Sequence, residues 1–156
     1  MRSADPTAIG RVAPVPGPPR ISVPGCRILE FPVVKDDRGN LTVVEGGQDI
    51  PFEISRVFYL DVVPADATRA GHANRRTDQV LVALSGSFAV TLDDGDRRQI
   101  VSLSGSSHGL LIPRLVWREI GGFSSGAVCL VFASLPYDAA DYYRDYAEYV
   151  RALRTP

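Results

Sequence analysis

From residue 26 onward, apolar positions come in short runs rather than at helical spacing. Residues 27–31, 41–45, 54–63, 79–84, 88–92, 98–103, 109–112, 116–120 and 127–133 are each rich in Val, Ile, Leu, Phe or Tyr. Turn-forming clusters separate them: Asp36-Asp37-Arg38-Gly39-Asn40, Ser85-Gly86-Ser87, Asp93-Asp94-Gly95-Asp96, Ser104-Gly105-Ser106-Ser107 and Gly121-Gly122. β-branched and aromatic residues fit a pleated, half-buried surface, so runs bounded in this way predict strands. Asp94-Gly95 between two alternating runs predicts a hairpin, because primed turns need positive φ at their centre. Many short strands at this spacing predict an all-β sandwich or barrel, in which closure or pairing deals with the sheet edges.

The two ends break the pattern. In residues 1–25, six prolines (Pro6, Pro14, Pro16, Pro18, Pro19, Pro24) and three glycines (Gly10, Gly17, Gly25) remove backbone donors and forbid a regular ladder. This stretch reads as a disordered leader, and residues 26–156 as one domain. At the other end Asp138 can cap a helix over residues 139–153, with Tyr142, Tyr146, Tyr149 and Val150 on one stripe as packing residues. The fold class expected is all-β with a C-terminal α-helix.

Composition narrows the function. A chain of 156 residues suits a single domain. A net charge of −1 lacks the basic excess of a nucleic-acid binder, so none is expected as a partner. No run approaches the ~18 apolar residues of a membrane span. Arg2 is not followed by an apolar stretch before Pro6, which argues against a secretory signal and makes the cytoplasm the expected location. Cys26 and Cys129 stand far apart with no histidine nearby, so neither a zinc knuckle nor a disulfide framework is expected. Cys129 reads as a buried thiol and Trp117 as a core residue, while His108 reads as a solvated loop residue.

The candidate chemistry lies between residues 67 and 79, Ala67-Thr68-Arg69-Ala70-Gly71-His72-Ala73-Asn74-Arg75-Arg76-Thr77-Asp78-Gln79. On an extended segment His72 and Asn74 point to one face, because the side-chain period is two. Gln79, opening the next apolar run, can return a third polar group to the same cavity. This layout resembles the first cupin motif, in which a glycine-led stretch supplies His-x-His and then Glu. Here Asn74 and Gln79 take the places of the second histidine and the glutamate, and the later stretch offers Arg118. One imidazole, two amides and a guanidinium make a poor first shell for a divalent cation, so no metal is expected.

A closer resemblance runs from Cys26 to Leu153. Asp37-Arg38-Gly39-Asn40-Leu41, Ile50-Pro51-Phe52, Arg56-Val57-Phe58-Tyr59 and Arg69-Ala70-Gly71-His72-Ala73 resemble the cupin-type sugar-nucleotide 3,4-ketoisomerases that act on dTDP-4-keto-6-deoxyglucose. So do Leu92-Asp93-Asp94-Gly95, Val116-Trp117-Arg118-Glu119 and Ala133-Ser134-Leu135-Pro136-Tyr137-Asp138 followed by Asp141-Tyr142, in the same order. The resemblance implies a cupin jelly-roll barrel and a homodimer exchanging N-terminal strands. It also implies a dTDP-linked keto-deoxysugar as ligand, and no cofactor.

Its chemistry would take a proton from C3, next to the C4 ketone, and deliver one to C4 through an enediolate. His72 would carry the proton. Arg69, Tyr59 and Asn74 are candidate donors to the oxyanion. Arg38 and Arg118 are candidates for the diphosphate, and Gln79 for a further substrate contact. The family motif usually reads His-Ala-His, and Arg118 stands where some members have histidine. Asn74 cannot exchange a proton at neutral pH. Either His72 shuttles alone, or the barrel binds the sugar nucleotide without turnover, or the scaffold serves an epimerase.

Overall fold

The computed structural model describes residues 17–156. Its strands are β1 (Arg27–Glu30), β2 (Val33–Asp36), β3 (Gly39–Thr42), β4 (Arg56–Leu60), β5 (Arg69–Asn74) and β6 (Gln79–Ser85). There follow β7 (Ser87–Asp93), β8 (Arg98–Ser104), β9 (His108–Ile112), β10 (Trp117–Gly121), β11 (Val128–Ala133) and β12 (Tyr142–Tyr143). A single helix, α1 (Tyr146–Arg154), closes the chain. One sheet has the order β1-β9-β6-β11-β4, the other β12-β5-β10-β7-β8, and β2 and β3 pair only with each other. The pairing is antiparallel throughout both large sheets. This is the jelly-roll arrangement expected of a cupin.

Alternation builds the core. In β7 the buried apolar residues are Phe88, Val90 and Leu92, with half-buried residues between them. They pack with Val101 and Leu103 of β8, and with Leu81, Ala83, Cys129, Val131, Leu110 and Ile112 from the opposite sheet. Each such side chain, fully buried, contributes about 1.5–3 kcal/mol. A second cluster, containing Leu29, Phe31, Ile50, Val80 and Val82, covers the outer face of the first sheet. The β7–β8 hairpin turns at Asp94-Gly95 as its sequence requires. Gly95 has φ +91°, and the Asp94 carboxylate accepts from the Asp96 and Arg97 N–H groups at 3.0 and 2.7 Å.

Three sequence expectations change. The leader was expected to span residues 1–25; residues 1–16 lie outside the described residues, but Ile21 already packs on the core and Val23 is fully buried in it. His108 is not a loop residue: it opens β9 and is half-buried. The C-terminal helix starts later than Ala139. Asp138 does accept from the Ala140 N–H, but caps only a 3₁₀ turn, Ala139–Asp141. Tyr142 and Tyr143 then pair with Asn74 and Ala73, and Asp145 caps α1 through the Glu148 N–H at 2.8 Å. Pairing along β5 outweighs the local preference for helix. Tyr149 pins α1 to the barrel, its buried hydroxyl reaching the carbonyls of Asp93 and Leu115 at 3.0 and 2.9 Å. Trp117 is buried against Tyr146 and Tyr149. Among the described residues no helix is long and apolar enough to cross a membrane.

Candidate active site

The site begins with an irregularity in β5. Arg118 pairs with His72 but Glu119 pairs with Ala70, so Gly71 has no partner across the ladder. Such a bulge re-aims the side chains on either side of it. Ala70 and Gly71 both lie in the left-handed region, at φ +67° and +68°. Glycine enters that region freely; for alanine it costs roughly 1–2 kcal/mol, a strain placed directly before His72.

His72 is half-buried, with Nε2 3.4 Å from Arg118 Nη1. A guanidinium only donates, so Nε2 is the unprotonated nitrogen and the proton sits on Nδ1, toward the Ala70 backbone. Burial, and then the Arg118 charge, push the imidazole down to about 3 against weaker upward pulls from Ala70 and Asn74. The ring is therefore neutral at physiological pH, with a lone pair on Nε2.

Arg118 is 1% exposed. Its Nη1 donates to Asn74 Oδ1 and to Gln79 Oε1, the latter at 3.1 Å. Those two bonds use both Nη1 protons and leave only a long third contact to His72. Nε and Nη2 are buried with no partner among the described residues. Burial lowers the guanidinium to about 10, which still leaves it charged at neutral pH. Its counter-charge arrives through an amide: Asn74 Nδ2 donates to Asp141 Oδ2 at 3.1 Å. Asp141 also accepts from the Thr77 hydroxyl and from the Arg76 N–H at 2.7 Å. Burial pushes the Asp141 carboxyl up, but these hydrogen bonds and the Arg76 charge together hold it below the ordinary range.

Above this cluster opens a cavity of about 340 Å³, within the ~300–1,000 Å³ typical of small-molecule sites. His72, Arg118 and Tyr142, with Arg69 and Arg144, line it from the β5-β10-β12 side. Phe58, Leu60, Leu81, Val131 and Gln79 line it from the β4-β11-β6 side. A larger groove of about 670 Å³ is lined by Gly17–Pro19 and by residues of β1, β8 and β9, among them Ile28, Glu30, Leu103 and His108. It holds no comparable cluster of titratable and polar side chains, so the smaller cavity is the candidate site.

The structure thus brings His72, Gln79, Arg118 and Arg69 to one cavity. Asn74 lies against them but has no exposed surface; it touches Arg118 and Asp141 instead of the cavity. Tyr59 departs from expectation. Phe58 and Leu60 take the inward positions of β4, and alternation turns Tyr59 outward, 63% exposed. Arg38 departs too: it sits at the tip of the β2–β3 hairpin, paired with Asp36 at 2.6 Å, and does not line the cavity of its own chain. Sequence reading missed Tyr142 and Arg144. Tyr142 meets the His72 ring edge-on, with centroids 4.8 Å apart, and the Arg144 guanidinium lies over the Tyr142 ring. Both were hidden by the expected helix, which assigned Tyr142 to packing.

The donor set does not suit a metal. Among the described residues no three His, Cys, Asp or Glu side chains gather, and the only imidazole of the cavity faces a guanidinium, where a cation would be repelled.

A jelly-roll barrel whose cavity holds a neutral histidine over a buried cation defines a cupin with an acid–base site. Residues 24–154 match the family model described as FdtA, WxcM-like, C-terminal. The chain is 39% identical over 127 residues to TDP-4-oxo-6-deoxy-alpha-D-glucose-3,4-oxoisomerase of Aneurinibacillus thermoaerophilus, covering 81% of this chain and 91% of that one. QdtA, a sugar 3,4-ketoisomerase from Thermoanaerobacterium thermosaccharolyticum solved in complex with TDP, superposes with a TM-score of 0.83 at 40% identity, covering 85% and 96% of the two chains. The WlaRB TDP-quinovose 3,4-ketoisomerase of Campylobacter jejuni does so at 0.80 and 40%, covering 83% and 99%. The chain belongs to the FdtA family and is an isomerase.

Proposed function

We propose that this enzyme converts a dTDP-linked 4-keto-6-deoxyglucose into its 3-keto isomer, with His72 as the proton carrier. The observation that carries the reading is the neutral His72 imidazole, its Nε2 lone pair poised beside the buried Arg118 charge on the cavity wall. Nε2 takes the proton from C3, and the C–H electron pair becomes the C3=C4 bond of an enediolate with its charge on the C4 oxygen. The C3 hydroxyl proton passes to that oxygen, the C3 carbonyl forms, and the imidazolium returns a proton to C4. Atoms and electrons balance without a cofactor. Arg118 supplies a fixed positive charge that need not reorganise as the enediolate forms, and Gln79 offers an amide to a sugar hydroxyl.

Arg69 and Arg144, at the cavity mouth, make no ion pair among the described residues and suit the diphosphate. We assign the reaction to a homodimer. The β2–β3 hairpin stands apart from both sheets and exposes Val34 and Leu41, while β4 is a free sheet edge exposing Val57 and Tyr59. Exchange of N-terminal strands would pair these surfaces and carry Arg38 toward the partner's cavity. The free, buried thiols of Cys26 and Cys129 accord with a reducing cytoplasm.

Incubation with the keto sugar nucleotide in deuterated water tests the reading. Deuterium at C3 or C4 is expected. Tight binding without exchange would favour a binding protein, and label at C5 an epimerase. His72→Asn should abolish exchange while nucleotide affinity stays within a few-fold; undiminished turnover would remove His72 from the mechanism.

A further inference from the structure

β1 and β8 are end strands of the two large sheets. The groove of about 670 Å³ is lined by residues of both. A strand at the end of a sheet offers unpaired N–H and C=O groups, and proteins cover such edges or blunt them with proline.

Gly17, Pro18 and Pro19, the first described residues, are themselves part of the groove wall. The segment that follows them is fixed to β8. Gln99 Oε1 accepts from the Ser22 N–H and hydroxyl at 2.7 and 3.0 Å, and Gln99 Nε2 donates to the Arg20 carbonyl at 3.1 Å. Val23 then enters the core. Followed from Ser22 toward the N-terminus, the chain leaves Gln99 near the start of β8 and reaches the groove that Ser102 and Leu103 line further along that strand. The chain before Gly17 therefore sets out from the groove itself.

Residues 1–16 lie outside the described residues, but their sequence carries a pattern. Ile9, Val12, Val15 and Pro18 recur at every third position. Pro14, Pro16, Pro18 and Pro19 oppose helix and favour the polyproline II form, which has three residues per turn. That period puts the recurring residues on one stripe. In this form the chain from Pro18 back to Val12 spans about 19 Å. The stretch from Ile28 to Val33 covers ~17 Å at strand rise. Ile28, Phe31, Val33 and Leu103 give the groove an apolar wall, and Glu30 is its only carboxylate.

We propose that this groove is the seat of the chain's own leader: residues 12–16 lie in it as a polyproline II strap, with Val12 and Val15 turned to the apolar wall. The tether at Gly17 makes the docking intramolecular, which raises the effective concentration of the leader to the order of millimolar. Pro14 and Pro16 bring no N–H, so the strap covers two end strands without extending either ladder.

A nitroxide on residue 13 of the full-length enzyme tests this. Cys26 and Cys129 are buried, with thiols pushed up to about 12, so Ala13→Cys supplies the one reactive position. In methyl NMR the Ile28, Val33 and Leu103 signals should broaden several-fold more than those of Val57, which lies on β4 at the other end of the first sheet. Val12→Asp with Val15→Asp should abolish that difference, because two carboxylates would have to be buried beside Glu30. Groove signals as sharp as those of Val57 in the labelled native leader would overturn the proposal and leave the groove to another occupant. Broadening that survives the double substitution would overturn it as well, since the stripe would not be what binds. Chains carrying both labels, mixed with an excess of chains carrying neither until subunits have exchanged, should keep the broadening. Its loss on mixing would show that the leader of a second copy fills the groove, and would overturn the assignment to the chain's own leader.

Discussion

Arg118 sets the properties of its neighbours at the scale of single residues. A guanidinium that is 1% exposed, with two nitrogens, Nε and Nη2, unpartnered among the described residues, is costly to hold, since each unsatisfied buried polar group costs about 1–3 kcal/mol. The arrangement persists because Asn74 and Gln79 hold Nη1 and because Asp141 lends charge through Asn74. Its consequence is electrostatic: burial first, and this cation second, keep His72 neutral far below its usual range. With only His72 and His108 in the chain, NMR titration of the imidazole C–H signals resolves the effect. His72 should titrate near 3 in the native enzyme. In Arg118→Met it should titrate higher but still below ~6.5, since burial, the larger cause, remains. Turnover of that variant should fall on the order of 10²–10³-fold, as when an oxyanion donor is removed. An unmoved His72 titration would show that the Arg118 charge is not felt there.

The same shift fixes the sign of a pH effect on stability. The unfolded chain protonates His72 near ~6.5 and the folded chain only near 3, so between those values the unfolded state binds the extra proton. Stability from this group is present above pH ~6.5 and declines as pH falls, by at most ~1.4 kcal/mol per unit. From pH 6.5 down to 5, where most carboxylates remain ionised, native enzyme should lose denaturation midpoint more steeply than His72→Asn; equal slopes would refute the assignment.

Among the elements, β5 is where the barrel and the C-terminal segment are joined. Asp141, at the end of the 3₁₀ turn, accepts from Asn74, the Thr77 hydroxyl and the Arg76 N–H, and its own carbonyl accepts from the Arg75 N–H at 2.7 Å. One carboxylate thereby ties the end of β5, the turn after it and β12 into a unit that carries His72 and Tyr142. Asp141→Ala removes charge-assisted hydrogen bonds from a buried site, and such bonds contribute about 1.5–3 kcal/mol each. A loss of roughly 2–4 kcal/mol is expected in urea unfolding, with an unchanged m value; a loss below ~0.5 kcal/mol would show that the turn holds without its anchor. This joint was only partly legible beforehand. The period of two in residues 69–74 was enough to put His72 and Asn74 on one face and Gln79 beside them. It was not enough for β4, where Val57, Phe58, Tyr59 and Leu60 are apolar or aromatic on both faces, so the pattern does not say which parity points inward. Phe58 turned in and Tyr59 out. The helix start was misplaced for a related reason: Asp138 and Asp145 are equally good caps, and only pairing with β5, a contact nearly 70 positions away in sequence (Tyr142 with Asn74), decides between them.

At the scale of the whole molecule, the barrel accounts for nearly every strand except one pair. β2 and β3 hold Val33 to Asp36 against Gly39 to Thr42 and touch neither large sheet through a ladder. A two-stranded hairpin alone is marginal in water, and this one leaves Val34 55% and Leu41 62% exposed at paired positions. A free edge at β4 with Val57 and Tyr59 exposed is a matching liability, because unpaired strand edges recruit other chains. Both are relieved if the hairpin of one chain lies along β4 of another. The outward Tyr59 then becomes part of an interface, and Arg38 moves from an isolated tip toward a cavity that otherwise draws only on its own chain. Sedimentation of the native enzyme should show a dimer. Val34→Lys with Leu41→Lys changes exposed positions only, so the barrel should keep its thermal midpoint while the dimer dissociates; a monomeric native enzyme, or a double variant still dimeric, would break this assignment. Arg38→Met, which leaves the apolar contacts in place, should keep the dimer but weaken nucleotide binding about tenfold, corresponding to ~1.4 kcal/mol. If affinity were unchanged in an intact dimer, the hairpin would serve assembly alone, and the diphosphate would have to rely on Arg69 and Arg144.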